Sequence, residues 1–265
     1  MTRPVSVDEL VRAHHAVLAG QFRRHRTPSL HSVWDPAGPV LPVLGAGGGT
    51  GATTVALALA TAAGAGRVVE CAPPGASGLT AAPTAELGAH PSGWVRGSRD
   101  VVLVERVAQP VLSPGQVPVP SPPRVEPVLT VVDVGWDLRA VQAGSSWLTD
   151  LVAAAPVLVL TTSATIPGLR RLETTLALLP PAQQAVAAVL GPPRRKWPRA
   201  LIASAGPGTH ALLRADRVAQ VPFDATLATR GIDTAALPTA LLAAAGRLLA
   251  LTTDTISPSG RDLQP

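Results

Sequence analysis

Residues 45–54 read GAGGGTGATT, preceded by the apolar run VLPVL and followed by VALALATAA. That register fits a strand, a glycine-rich turn and a helix start, an arrangement whose backbone N–H groups cradle phosphate oxygens. Gly47, Gly48, Gly49 and Gly51 admit close approaches and backbone conformations that side chains would block. Thr50 and Ala52 complete the candidate phosphate contacts, and Thr53, with Thr54 beside it, stands where a hydroxyl would bind Mg²⁺. Such a turn ordinarily carries lysine just before that threonine. Here the position is Ala52, and the chain's single lysine, Lys196, is far away in sequence. The competing reading is a glycine-rich βα turn with no ligand, in a chain that has 24 glycines.

The elements that would position this turn follow from hydropathy. Apolar runs predict strands over 40–45, 67–71, 101–105, 128–133, 156–161 and 185–190, with a short one near 218–221. Helical periodicity predicts helices over 53–63, 140–154, 166–179, 199–213 and 237–251. Their alternation predicts an α/β fold, a doubly wound and mostly parallel sheet with helices on both faces. Residues 6–26 read as a separate amphipathic helix: Ser6-Val7-Asp8-Glu9 is a capping-box pattern, Leu10, Val11, Val17, Leu18 and Phe22 share a face, and Arg23, Arg24 and Arg26 end it. The predicted organisation is therefore a helical extension (1–26), a linker (27–39), the main domain (40–252) and a flexible tail (253–265). Within the domain, 108–127 (AQPVLSPGQVPVPSPPRVEP) is too rich in proline for strand or helix and reads as a stiff surface loop, with a partner ligand as the alternative.

Composition narrows the classes. Tyrosine is absent, arginine replaces lysine almost throughout, and the net charge of +5 permits an acidic partner without requiring one. Cys71 is alone, which excludes a disulfide framework or a cysteine metal site. The six histidines show no ligand or nucleophile spacing. No secretory signal or membrane span is apparent, so a cytoplasmic protein without stable membrane insertion is the expectation. Arg194-Arg195-Lys196-Trp197-Pro198-Arg199 is a second basic cluster; Arg194, Arg195, Lys196 and Arg199 are candidate DNA contacts, and the bland alternative is a solvated loop with Trp197 folded onto the domain.

The loop resembles that of the ParA/MinD family of P-loop ATPases, GKGGxGKTT. Gly48, Gly49, Gly51, Thr53 and Thr54 match; Ala46 replaces the first glycine, Gly47 the signature lysine and Ala52 the general P-loop lysine. Downstream, Glu70-Cys71-Ala72-Pro73-Pro74-Gly75 aligns with the family's DxDPQG-like stretch, keeping one carboxylate at Glu70 and losing the other at Ala72. VLTVVDVGWD places Asp133 at a strand end where the family's Walker B acid holds Mg²⁺ through water; the plainer reading is an Asp that caps the next turn. VLVLTTSATIPGLRRLETTL resembles the strand and helix after the second switch, and Val221-Pro222-Phe223-Asp224 resembles the late VPxD segment near the adenine base, which makes Pro222 a candidate contact.

The resemblance implies ATP and Mg²⁺ as ligands, a protein partner, a homodimer and a role in partitioning or positioning. Losing one charged donor weakens nucleotide binding by about 10- to 150-fold, and losing a preorganised one slows hydrolysis by ~10²–10³. The expected outcome is a pseudo-ATPase with weak ATP binding or none, for which Glu70 and Asp133 are the candidate catalytic groups and Thr53 and Asp133 the candidate Mg²⁺ ligands. A slow ATPase activated by a partner's cation and a nonspecific DNA-binding segregation factor are the alternatives. Arg170 and Arg171 lie in the chain after the loop, but the sequence does not aim either at it.

Overall fold

In chain order the elements are β1 (Val40–Gly45), α1 (Ala52–Ala62), β2 (Gly66–Glu70), β3 (Ala85–His90), β4 (Trp94–Arg99), β5 (Val102–Val107), β6 (Leu129–Asp133), α2 (Leu138–Gln142), α3 (Trp147–Ala154), β7 (Val157–Ser163), α4 (Ile166–Ala177), β8 (Gln184–Leu190), α5 (Arg199–Ala203), α6 (Pro207–Arg214), β9 (Val218–Val221), α7 (Ala225–Arg230) and α8 (Thr239–Ile256). This computed structural model describes residues 33–36 and 38–256. The helix expected within 1–26, the first part of the 27–39 linker and the tail beyond 256 lie outside the described residues.

The strands form one nine-stranded sheet, ordered β3-β4-β5-β2-β6-β1-β7-β8-β9. Every pairing from β5 to β9 is parallel, and β3 and β4 add antiparallel strands at one edge. Each central strand is buried on both sides because its alternate residues face opposite helical layers. Leu41, Val43, Val68, Val131 and Val159 face a core with α1 and α8. Leu44, Val69, Val132, Leu158 and Leu160 face another with α2, α3, α4, α5 and α6. The doubly wound, mostly parallel fold predicted from the sequence is the one observed.

Four local expectations are corrected. The single helix predicted over 140–154 is two, because Gly144 and Ser145 interrupt it and Ser146 caps the second, its Oγ accepting from Thr149 N at 3.2 Å. The helix predicted over 199–213 is likewise broken at Gly206-Pro207, where Pro207 opens α6. The last helix runs to Ile256, beyond the predicted end at 251 and into the segment read as tail. The hairpin β3–β4 was not predicted: β3 (AELGAH) is exposed at almost every position, so it carries no apolar alternation.

The proline-rich segment 108–127 is fastened to its own domain. Its Val111, Pro114 and Val117 are buried, and its carbonyls accept the indole N–H groups of Trp147 (onto Val117, 2.9 Å) and Trp94 (onto Val119, 3.3 Å). Beneath it, the fully buried Glu105 carboxylate binds the guanidinium groups of Arg67 and Arg96, the latter at 2.6 Å. Arg67 also donates to the Ser121 carbonyl at 2.8 Å, so the buried charge cluster reaches the loop. From the linker, Trp34 packs edge-on against Trp147, ring centroids 5.1 Å apart.

Candidate functional site

β1 lies between β6 and β7, and the chain crosses from one side of it to the other, so the turn leaving β1 occupies the sheet's topological switch point. The turn is braced from below. Thr50 is buried, its hydroxyl donates to the Gly47 carbonyl at 2.9 Å, and it lies 2.9 Å from the Thr161 hydroxyl on β7. Ala46 N donates to the Thr161 carbonyl at 2.8 Å. Gly49 and Gly51 take the left-handed φ values +71° and +78°, and Gly51 is the N-cap of α1 with no side chain capping the helix. Among the described residues, none of the backbone amides from Gly47 to Thr54 donates to a protein acceptor. A Cβ built on Gly48 or Gly49 would meet no atom within 4 Å. The turn is thus an open run of unpaired N–H donors at the positive end of a helix, which suits an anion. Ala52 is the first residue of α1, half-buried, and brings no charge to it.

Next to this turn two acids end adjacent parallel strands, with Glu70 in register with Asp133. Both are fully buried. Glu70 is engaged: its oxygens accept from the Ser77 hydroxyl at 2.5 Å and from Gly78 N at 2.7 Å, and so it braces the loop after β2. Burial pushes its pKa up to about 7; the Ser77 hydroxyl opposes the shift, the Asp133 charge adds to it, and the Gly78 and Leu79 amides also oppose it. Asp133 has no hydrogen bond to either oxygen. Burial raises its pKa to about 6, and the nearby Thr53 hydroxyl and Gly135 amide hold the shift down without bonding to it. Burial also pushes the Cys71 thiol up, so it stays protonated and unreactive.

The loops after β2 and β6 are cinched over these acids. A Cβ on Gly135 would stand 2.6 Å from Ala72 N, which is why only glycine fits there, at φ +65°. The Trp136 indole donates to the Cys71 carbonyl at 2.8 Å. A Cβ on Gly78 would stand 2.9 Å from Thr53 Cγ2, so the loop after β2 also lies against the first turn of α1. Glycine turn, Thr53, Glu70 and Asp133 therefore come together at one carboxyl edge of the sheet.

Pro222 follows β9, whose Val221 is in register with Leu190 on β8. Leu190 Cδ2 would lie 3.7 Å from a Cβ on Gly51, which puts the ends of β8 and β9 on the far flank of the turn. Asp224 is engaged in capping α7, accepting from Leu227 N at 2.8 Å. The basic cluster is elsewhere. Arg194–Lys196 form an exposed 3₁₀ turn, whereas Trp197 is buried and its indole donates to the Pro192 carbonyl at 2.9 Å. Trp197 is thus folded onto its own domain, as the plainer reading of this cluster has it.

One residue that sequence reasoning left unplaced proves to be part of the site. Arg171, in the second turn of α4, reaches across to the glycine turn: a Cβ on Gly47 would stand 3.0 Å from its Cδ and 3.3 Å from its Nη1. Arg171 and Arg139 both line a cavity of about 640 Å³ bounded by Ala46, Gly47 and Gly48. No local pattern marks Arg171, since the contact joins residues from separate βα units.

The fold is a P-loop NTPase-like α/β fold. No family model matches the sequence, and no curated protein is significantly similar to it. Solved structures are. A chain of the MinC:MinD cell division protein complex of Aquifex aeolicus aligns with 80% of this chain and 96% of its own, at 14% identity and TM-score 0.50. The septum site-determining protein MinD of Pyrococcus horikoshii, complexed with Mg-ADP, aligns with 84% and 99% at 14% identity and TM-score 0.48. A ParA family ATPase from Chlorobium tepidum aligns with 84% and 99% at 12% identity and TM-score 0.40. The first carries the fold assignment: this chain has the ParA/MinD-like P-loop fold. Among the described residues, no helix is long and apolar enough to cross a membrane.

Proposed function

We propose that this chain is a ParA/MinD-like protein with a degenerate nucleotide site, which binds and positions partners and hydrolyses ATP weakly or not at all. The observation that carries the reading is the contrast at the turn: unpaired amides and open space over Gly48 and Gly49, with Ala52 where a lysine would stand. The backbone half of a triphosphate cradle is intact and the cationic half is not.

The residues present fit Mg²⁺ with a nucleotide. Asp133 is a fully buried carboxylate with both oxygens unpartnered, an arrangement expensive to maintain unless a cation or its water faces it. Thr53 and Asp133 would hold the ion, and the amides from Gly47 to Thr54 would hold the phosphates. When bound, Mg²⁺ would supply positive charge shared by phosphate oxygens and Asp133. Glu70 is occupied by Ser77 and Gly78, so its role is to position the loop after β2 rather than to move a proton. With neither lysine, nothing from the turn itself opposes the charge that grows on the transferred phosphoryl group, and turnover is correspondingly slow or absent. Protein partners, homodimerisation and a cytoplasmic partitioning or positioning role form the rest of the proposal.

Isothermal titration of the purified chain with Mg·ATP tests it. Binding without sustained phosphate release, lost on Asp133→Ala, is expected. No heat up to millimolar ligand removes nucleotide from the reading.

A further inference from the structure

We propose that Arg171 is the cation of this phosphate turn, binding the phosphate chain of a nucleoside triphosphate from α4 in place of a lysine within the turn. The inference rests on the nucleotide reading above and goes beyond it, because it assigns a phosphate ligand that the turn does not contain.

Three observations carry it. The first is position. The Arg171 side chain lies against Gly47, at the edge of the open space above Gly48 and Gly49 and beside the unpaired amides. The absence of a side chain at 47 lets it lie this close, since a Cβ there would stand 3.0 Å from Arg171 Cδ and press it back by a few tenths of an ångström. The second is availability. Arg171 is exposed, and among the described residues its guanidinium has no carboxylate within ion-pair distance and no hydrogen-bond acceptor. Among the described residues, the one acid lining the shared cavity is Asp137, which is engaged at the start of α2, accepting from Arg139 N at 2.8 Å.

The third is rigidity of the support. The Thr165 hydroxyl caps α4, accepting from Gly168 N at 3.1 Å, and the Thr162 hydroxyl on β7 donates to the Gly168 carbonyl at 2.8 Å. Two residues beyond Arg171, Glu173 accepts from Gly208 N and Thr209 N of α6 at 2.8 and 2.9 Å. The helix is held at its start and along its length, which fixes the point from which the Arg171 side chain extends. A guanidinium is suited to the task because its planar donors match phosphate oxygens two at a time. Arg139 lines the same cavity and adds positive potential, whereas the three atoms nearest a Cβ on Gly47 all belong to Arg171.

The test is calorimetric titration of Mg·ATP into the full chain and three variants. Arg171→Gln keeps a polar end and removes the charge, Arg171→Lys keeps the charge, and Arg139→Gln is the control within the same cavity. Arg171→Gln is expected to weaken Mg·ATP binding about 10-fold or more, with Arg171→Lys intermediate and Arg139→Gln closer to wild type. The unfolding temperature without ligand should be unchanged in all three, since no protein partner is lost. Wild-type-like affinity of Arg171→Gln, within about twofold, overturns the inference while leaving the nucleotide reading standing. No binding by the wild type removes both.

Discussion

Asp133 is where a charge is hardest to sustain, and that has a measurable consequence. The carboxylate is fully buried and unpartnered, and burial lifts its pKa from 3.8 to about 6. The folded state therefore holds the proton more tightly than the unfolded chain, and the stability contribution falls as pH rises through the window from 3.8 to about 6. A shift of roughly two pKa units corresponds to about 3 kcal/mol once the group is ionised. Asp133→Asn preserves shape and removes the titration. Below the window the wild type is protonated in both states, so the stability offset there measures only the amide's own hydrogen-bonding mismatch. From about pH 2.5, below that window, to about pH 8 the offset should move by about 3 kcal/mol in favour of the variant. Urea unfolding followed by tryptophan fluorescence reads it. Glu70, in register across the strands, titrates together with Asp133 and extends the same trend towards pH 7. Added Mg²⁺ should flatten the wild-type profile and leave the variant unchanged. An offset constant within about 1 kcal/mol from acid to alkaline pH would refute the reasoning, because a buried, unpaired carboxylate cannot ionise without penalty.

Three further outcomes are expected. Ala52→Lys should strengthen Mg·ATP binding about 10-fold or more by titration calorimetry; no gain would mean that the start of α1 does not face phosphate. Gly51→Ala forces a side chain into the left-handed region at φ +78°, and should destabilise by about 1–2 kcal/mol in urea unfolding, the cost of that conformation, since the nearest neighbouring atom is a comfortable 3.7 Å away. Glu105→Gln leaves Arg67 and Arg96 without their buried counter-charge, and should destabilise by about 3–5 kcal/mol; a loss under about 1 kcal/mol in chemical unfolding would show the cluster to be hydrated.

The sequence by itself determined the parallel frame and the glycine-rich turn, because both are written in local patterns. Apolar runs such as VLVLT and AVAAVL satisfy their backbone by pairing on both sides, and the helical segment between them leaves a parallel crossover as the available connection. Gly49 and Gly51 announce a turn with positive φ before helical periodicity begins. The hairpin β3–β4 was not legible, since β3 buries almost nothing and is held by the backbone of β4 and by the ion pair of its Glu86 with Arg106. Nor were the breaks at Gly144 and Gly206 apparent within stretches of otherwise helical composition. Tertiary structure alone decided how the acids differ. Glu70 and Asp133 end adjacent strands with the same chemistry, yet Ser77 and Gly78 fold back onto one while the other is left bare. It also decided that Arg171 meets Gly47. That contact depends on where a helix packs after two strands have taken their places on either side of β1, and such a distance has no signature along the chain.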